Sequence, residues 1–496
     1  MALGVFPNEK VERWAALATV LLTLLLFGVG ASRLIYPFDV GHFEACTWTP
    51  ALFAAQGKNP YDIALREPFA TAPYGYFYYL AVGVGLRVFG WQFWFGRALT
   101  ILAAGVCVYC LGRIVWALTK NRQAVLLSAM IFLATITLHH WLGVHRPDLP
   151  ALALAFAALA IVFAFNGEGE FRLPIVTVVI VLLASAFFFK QTTLLPIAVS
   201  TARFWQMGRR NPALSVLFAT ILLIAIIGLA LNATSNGAYF WQHFTLAERV
   251  PHSYGMAGHW LLSLFKSATT WIVAGLFVAA LFAGNNHTGR FSGDKFNAWL
   301  KSPVCLWSCY LVAALGFAFV TSARAGAYIN YYLEVSIVAA VVAGTAWRRL
   351  AEYGRWQKFY PALVLLILLA GAFEFSRMAR AESYRWRSLP YYRELVTTLK
   401  NDTLPDGLCI SVHPELAVAA GRSFHFGDWI QYHDGRSPEL RQAFANAVIS
   451  GRYAAIVWLK PGDPALPGYK VVSMQTPLPD RHYPVYLLLP ATVTNR

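Results

Sequence analysis

Apolar runs of about 17–25 residues recur along most of this 496-residue chain, the length at which a helix crosses roughly 30 Å of hydrocarbon. Inside a bilayer every backbone N–H and C=O must find a partner within the protein, which makes such runs helical. Composition agrees: 58% of residues are hydrophobic and 13% are charged, far from the soluble average. The chain reads as a polytopic membrane protein. The first run, Trp14 to Ile35, follows the charged "NEKVER" and lacks a small-residue cleavage site, so it is read as a retained span. Further runs lie near 93–118, 124–140, 149–166, 173–189, 191–204, 213–232, 260–282, 303–321, 331–347 and 359–377, about eleven in all. The short "YGYFYYLAVGVGLRVFG" at 74–90 is rich in Tyr and carries Arg87, so it is expected to lie flat at the interface.

Charge asymmetry supports that choice. With 74–90 flat, Lys10, Arg13, "TKNR", "RFWQMGRR", the 283–302 loop and "RRLAEYGRWQK" share one side, which the positive-inside rule makes cytoplasmic. The formal net charge of +16, 40 Lys+Arg against 24 Asp+Glu, then suits an anionic inner leaflet and does not call for a nucleic-acid partner.

From about Met378 the long apolar runs stop. Strand-like "LCISV", "YAAIVWL", "YKVVSM" and "VYLLL" alternate with a helical "SPELRQAFANAVISG", which predicts a small α/β module. The expected fold is mainly α, a polytopic transmembrane helical bundle over 1–377 with an extracytoplasmic α/β domain over 378–496. An odd number of spans places that domain outside, periplasmic in a Gram-negative cell, and the N-terminus in the cytoplasm. The module is expected to cover an outer cavity and bind acceptor. Cys107, Cys110, Cys305 and Cys309 sit in apolar helices and read as packing; Cys46 and Cys409 fall on the outer face, where a bridge is the weaker reading.

Ionisable residues gather at the outer helix ends. The first loop, "YPFDVGHFEACTW", supplies Asp39, His42 and Glu44; "HRPD" supplies Arg146 and Asp148; "FFFK" ends in Lys190; "ARAGAYINYYLE" brings Arg324, Asn330 and Glu334. Each has a plain alternative: Asp39 as a helix cap, Glu44 as a first-turn acid, Arg146 and Asp148 as a loop ion pair, Lys190 as a snorkelling lysine. His139, His140 and His145 match no standard metal spacing and read as interfacial filler, as does His42. Charges near a bilayer are costly, which favours a protein-lined or wet cavity for them.

An acid after the first span, the "G-x-N-P-Y" turn ending in Tyr61, the aromatic "APYGYFYYL", the "R-x-D" before the fourth span and the Lys closing the fifth resemble the GT-C superfamily. These are integral-membrane glycosyltransferases, and the resemblance is nearest to the glycosyltransferase family 39, aminoarabinose-transferase and protein O-mannosyltransferase branch. It covers roughly residues 10–205. One departure is that the first-loop acids, usually adjacent, are here separated as Asp39 and Glu44.

The resemblance implies inverting transfer of a hexosyl or pentosyl group from a polyprenyl-phosphate sugar donor to a cell-envelope glycan, lipid or protein acceptor at the inner (plasma) membrane. It implies a catalytic set of Asp39 (general base), Glu44 and Asp148. Lys190, Arg146 and Arg324 would bind the donor phosphate, and Tyr61, Asn330 and Glu334 the substrate. No cofactor is required, although some such enzymes use a divalent metal, for which Asp39, Glu44 and Asp148 are the candidate ligands. The alternative class is a lipid-linked sugar flippase or secondary transporter, which usually carries repeat symmetry and midplane charges.

Overall fold

The computed structural model describes residues 9–40, 44–62, 72–165, 173–245, 252–283, 302–324, 327–403, 407–411, 413–426, 438–458, 469–474 and 486–490. His42 lies outside the described residues. The protein is a multi-pass helical bundle carrying a small C-terminal sheet. All eleven apolar runs are helical in whole or in part. Among the described residues, six helices have the length and composition of a span, or seven if one bent pair counts as a single crossing. Asp148–Ala164 and Leu173–Phe189 have 17 residues each, at the lower end of the crossing length, and Leu195–Gln206 has 12.

Two runs are broken by their own hydroxyls. The 124–140 run divides into Arg122–Leu133 and Ile136–Trp141 at an extended Thr135, whose Oγ1 donates to the Phe132 carbonyl at 2.7 Å. The 260–282 run becomes Tyr254–Phe265 and Ala268–Ala283, bent by 76°. There Thr270 Oγ1 and Trp271 Nε1 donate to the Leu264 and Phe265 carbonyls at 2.7 and 2.8 Å, satisfying backbone that the bend releases.

Leu333–Ala351 is the central helix: 83% of the span beginning at Ile329 is buried, against 22% for Arg210–Thr234 at the rim. Around it pack Trp94–Thr119, Arg122–Leu133 and Pro303–Ser322, while Trp94–Thr119 also packs against Asp148–Ala164 and, through that helix, Leu173–Phe189. Glu9–Ile35 lies against Tyr360–Arg387. Tyr76–Phe89 has 14 residues, about 21 Å at helical rise, and packs on Ala45–Ala55.

Tyr360–Arg387 runs through position 378, and Leu389–Asp402 follows at once. The second of these buries Leu389, Tyr392, Leu395 and Leu399, spaced at three and four residues on one face. The strands are Leu408–Ser411 (β1), Ser423–Phe426 (β2), Ala455–Trp458 (β3), Tyr469–Met474 (β4) and Tyr486–Pro490 (β5), ordered β2-β1-β3-β5-β4. β2, β1 and β3 are parallel, and β5 pairs antiparallel with β3 and β4. The expected helix in this part is Pro438–Ile449, and β2 is an added strand. None of the six cysteines, all of them among the described residues, forms a disulfide, so Cys46 and Cys409 are not bridged.

The loop after the first helix is held by Arg97, an arginine wholly buried within Trp94–Thr119. Its guanidinium donates to the carbonyls of Arg33 (2.7 Å), Tyr36 (2.5 Å) and Phe38 (2.6 Å), and to both carboxylate oxygens of Glu44 (3.0 and 2.6 Å). Removing one partner of such a buried pair leaves an uncompensated charge, typically costing about 3–5 kcal/mol. Arg97→Ala and Glu44→Ala are each expected to lower thermal stability in detergent by about that much. The double variant should lose clearly less than their sum, a coupling that a double-mutant cycle of melting temperatures measures.

Candidate functional site

Arg97 and Glu44 determine where the first loop and the 142–147 loop meet. Beyond Arg97, Glu44 accepts the Val40 N–H at 2.9 Å and the His145 N–H at 2.6 Å, while Thr47 Oγ1 donates to the His145 carbonyl at 2.7 Å. Both Glu44 oxygens are therefore occupied, and the side chain is fully buried. Expected among the catalytic acids and candidate metal ligands, Glu44 has a structural position that ties one loop to the other. Burial lowers the His145 imidazole to about 3, so it adds no third cation beside Arg97 and Arg146. Gly96 makes room for that ring: a Cβ there would lie 2.0 Å from His145 Cδ2.

Fixing His145 aims its neighbour. Arg146 Nη1 donates to Tyr74 Oη at 2.5 Å, and the guanidinium carbon lies 5.4 Å from the centre of the Tyr74 ring. Its Nε is buried without a hydrogen-bond partner. Arg146 also lies within electrostatic reach of Asp39 and Asp148. Burial holds the Tyr74 phenol well above its ordinary value despite Arg146, so it remains protonated. Asp39 itself is 4% exposed, on the loop that Arg97 gathers.

Asp148 occupies the first turn of Asp148–Ala164 and Lys190 follows the last turn of Leu173–Phe189, the ends at which helix dipoles favour an anion and a cation respectively. The two form a buried salt bridge. Asn330 Nδ2 donates to the same Asp148 Oδ1 at 2.6 Å, leaving Oδ2 buried and without a partner. Lys190 Nζ sits 4.6 Å from the centre of the Tyr331 ring. A narrow cleft is lined by Asp148, Lys190, Asn330, Tyr331 and Glu334, with Thr192 and Thr193 beside them. Glu334 accepts from Tyr310 Oη at 2.6 Å. Sequence expectations for Asp148, Lys190, Asn330 and Glu334 thus converge on one cleft, with Arg146 beside it.

Two expected residues lie elsewhere. Arg324 is exposed, its backbone bridges to His252, and none of the described contacts joins it to Lys190 or Arg146. Tyr61 has no exposed surface; its Oη donates to the Tyr74 carbonyl at 2.8 Å and its ring packs edge-on to Tyr239. It supports Tyr74 and offers no face to a substrate. Tyr79 Oη accepts the Tyr74 N–H at 2.9 Å, completing the cradle. Among the described residues, no three His, Cys, Asp or Glu side chains come together to hold a metal.

No protein-family model and no curated protein matches the chain. Solved structures do. The apo crystal structure of ArnT from Cupriavidus metallidurans superposes with a TM-score of 0.65 at 13% identity, over 96% of this chain and 98% of that one. The chain has a GT-C-like fold. ArnT bound to undecaprenyl phosphate matches over the same shares at 13% identity and a TM-score of 0.62. Arabinofuranosyltransferase AftD from Mycobacteria matches at 16% identity and a TM-score of 0.50, over 97% of this chain and 40% of that one.

Within this GT-C-like fold, Arg97 and, inside "APYGYFYYL", Tyr74 and Gly75 also build the site. An arginine inside an apolar run was the available signal for Arg97. Gly75 brings the aromatic helix onto the end that carries Lys190: a Cβ there would lie 1.9 Å from the Phe188 carbonyl oxygen. Because that obstacle is backbone, Gly75→Ala is expected to displace Tyr74 from Arg146. Stability should fall by about 1–3 kcal/mol, the usual cost of overpacking, and ligand affinity at the cleft should fall more than in Phe77→Ala. Melting curves and ligand titration of the two variants check this.

Proposed function

We propose that the chain is an inverting glycosyltransferase of the extracytoplasmic face of the inner membrane. It would take a polyprenyl-phosphate-linked sugar as donor and a hydroxyl of a cell-envelope glycan, lipid or protein as acceptor. The observation that carries this reading is the buried constellation of Asp39, Arg146, Asp148 and Lys190 in a GT-C-like fold. A comparable fold, ArnT, has been crystallised with undecaprenyl phosphate, which supports a lipid phosphate as the donor's carrier. The N-terminus is taken as cytoplasmic and the C-terminal sheet as extracytoplasmic, following the Lys and Arg distribution.

In the proposed step Asp39 takes the proton of the acceptor hydroxyl as its oxygen bonds to the anomeric carbon. The bond from that carbon to the phosphate oxygen breaks on the opposite face, and its electron pair leaves with the polyprenyl phosphate. Lys190 and Arg146 supply the positive charge that the leaving phosphate needs, and Tyr74 holds Arg146 in line. Asp148 orients Lys190, its Oδ1 shared between Lys190 and Asn330. Glu44 holds the Val40 N–H beside Asp39, a contact that supports a positioning role for it. Asn330 and Glu334 face the cleft as substrate-binding groups. The two cations make a metal unnecessary for the proposed step, so transfer should persist in EDTA.

Transfer of labelled sugar from a polyprenyl-phosphate donor in proteoliposomes tests the assignment. Asp39→Asn is expected to lower kcat by about 10²–10⁴-fold with donor affinity retained, the usual size of a general-base contribution. Full turnover by a well-folded Asp39→Asn would remove Asp39 as the base. Lys190→Ala should instead raise the Kd for polyprenyl phosphate by roughly 10–100-fold, the equivalent of one charged hydrogen bond, which equilibrium binding measures.

A further inference from the structure

One buried acid near Asp39 takes no part in the step described above. Glu415 belongs to the short helix Pro414–Ala419, 376 positions along the chain from Asp39, yet it is only 6% exposed. Its Oε1 accepts the Asp39 backbone N–H at 3.4 Å and meets His413 Nδ1 at 3.3 Å; Oε2 is buried without a hydrogen-bond partner. His413 is also buried, its backbone N–H tied to Ser411 Oγ at 2.8 Å on β1 and its ring edge-on to Tyr392. Around Asp39 the grip continues: Tyr392 packs on Phe38 with ring centres 5.3 Å apart, and Arg385 Nη2 donates to the Val40 carbonyl at 2.6 Å.

Three successive residues, Phe38, Asp39 and Val40, are thus each held by a different residue from the last quarter of the chain. Two of these contacts are of a kind that stability alone explains, a ring pair and an arginine on a carbonyl. Glu415 is different. It holds the backbone of the residue proposed as the base and keeps one carboxylate oxygen buried and unmatched. Two further buried polar atoms without hydrogen-bond partners, Arg146 Nε and Asp148 Oδ2, belong to the candidate site.

Resting on the glycosyltransferase reading, we propose that Glu415 is a positioning residue for the transfer. Oriented by His413, it fixes the Asp39 backbone so that the base meets the acceptor hydroxyl. The active site is accordingly shared between the helical bundle and the C-terminal α/β part.

The test uses the full chain in proteoliposomes with a short-chain polyprenyl-phosphate sugar as donor. Glu415→Ala should lower kcat by about 10–100-fold, the scale on which small misplacements of a reacting group act, with the Kd for polyprenyl phosphate unchanged. Glu415→Gln, whose amide oxygen still accepts the Asp39 N–H, should recover most of the loss. Leu416→Ala opens a cavity in the same helix and controls for a loosened module. An equal kcat loss in Leu416→Ala, or wild-type kcat in Glu415→Ala, would overturn the proposal. Amide hydrogen exchange over residues 36–44 reads the same contact without activity: it should quicken in Glu415→Ala and not in Leu416→Ala. Unchanged exchange in Glu415→Ala sinks the positioning role. An unaltered chain that transfers no sugar from any polyprenyl-phosphate donor sinks the glycosyltransferase reading instead.

Discussion

The site depends on one guanidinium with every donor in use. Arg97 binds three carbonyls of the segment 33–38 and both oxygens of Glu44, so it ends the first helix, shapes the following loop and neutralises the acid that anchors the 142–147 loop. A bare arginine at this depth would be prohibitive, but five charge-assisted or carbonyl bonds replace its hydration. Planarity matters here. A lysine has three donors at a point and could not bridge carbonyls and carboxylate in the same plane.

From that anchor the geometry passes outward in steps that are each local. Glu44 holds the backbone of Val40 and His145, which leaves Asp39 and Arg146 as the neighbouring side chains. Tyr74 receives Arg146, and the Gly75 contact with the Phe188 carbonyl brings Tyr74 toward the helix end that bears Lys190. Lys190 is in turn set by Asp148, and Asp148 by Asn330 at the head of the central helix. Four separate parts of the bundle are joined through polar contacts set among large apolar clusters. Directional bonds fix distances to tenths of an ångström, which dispersion between Leu and Phe side chains does not.

How much of this was legible in the sequence follows the range of each interaction. Apolar runs announced helices, because hydrocarbon demands internal hydrogen bonding whatever the neighbours. The breaks at Thr135 and near Ser267 were not legible, since hydroxyls capping carbonyls depend on geometry that hydropathy does not carry. Four of five strands showed as β-rich runs, whereas Ser423–Phe426 is four residues long and is stabilised by its parallel neighbour. Asp148 and Lys190 stood out as charges ending apolar runs. Arg97 did not, because its partner lies 53 positions earlier, and Glu44 looked like an exposed first-turn acid until that partner was known. The turn motif places Tyr61 near the site, whereas the packing against Tyr239, which no local pattern encodes, turns it inward.

The same paired charges that make the cleft stable bear on its chemistry. Lys190 at rest is neutralised by Asp148, so the cation is available to a phosphate only if the ligand competes with, or adds to, a carboxylate already in place. A lysine left unpaired in so buried a position would be an uncompensated charge that destabilises the bundle. Pairing it with an acid that Asn330 also holds avoids that cost and fixes Asp148 while its second oxygen stays open. Arg146 reaches a similar end by a different route, donating to a neutral phenol and lying within electrostatic reach of Asp39 and Asp148. On the proposed reading a lipid phosphate would complete the coordination of both cations at once. The unsatisfied Arg146 Nε and the shared Lys190 are then two parts of one arrangement, in which the resting protein tolerates a modest electrostatic deficit that the donor's phosphate removes.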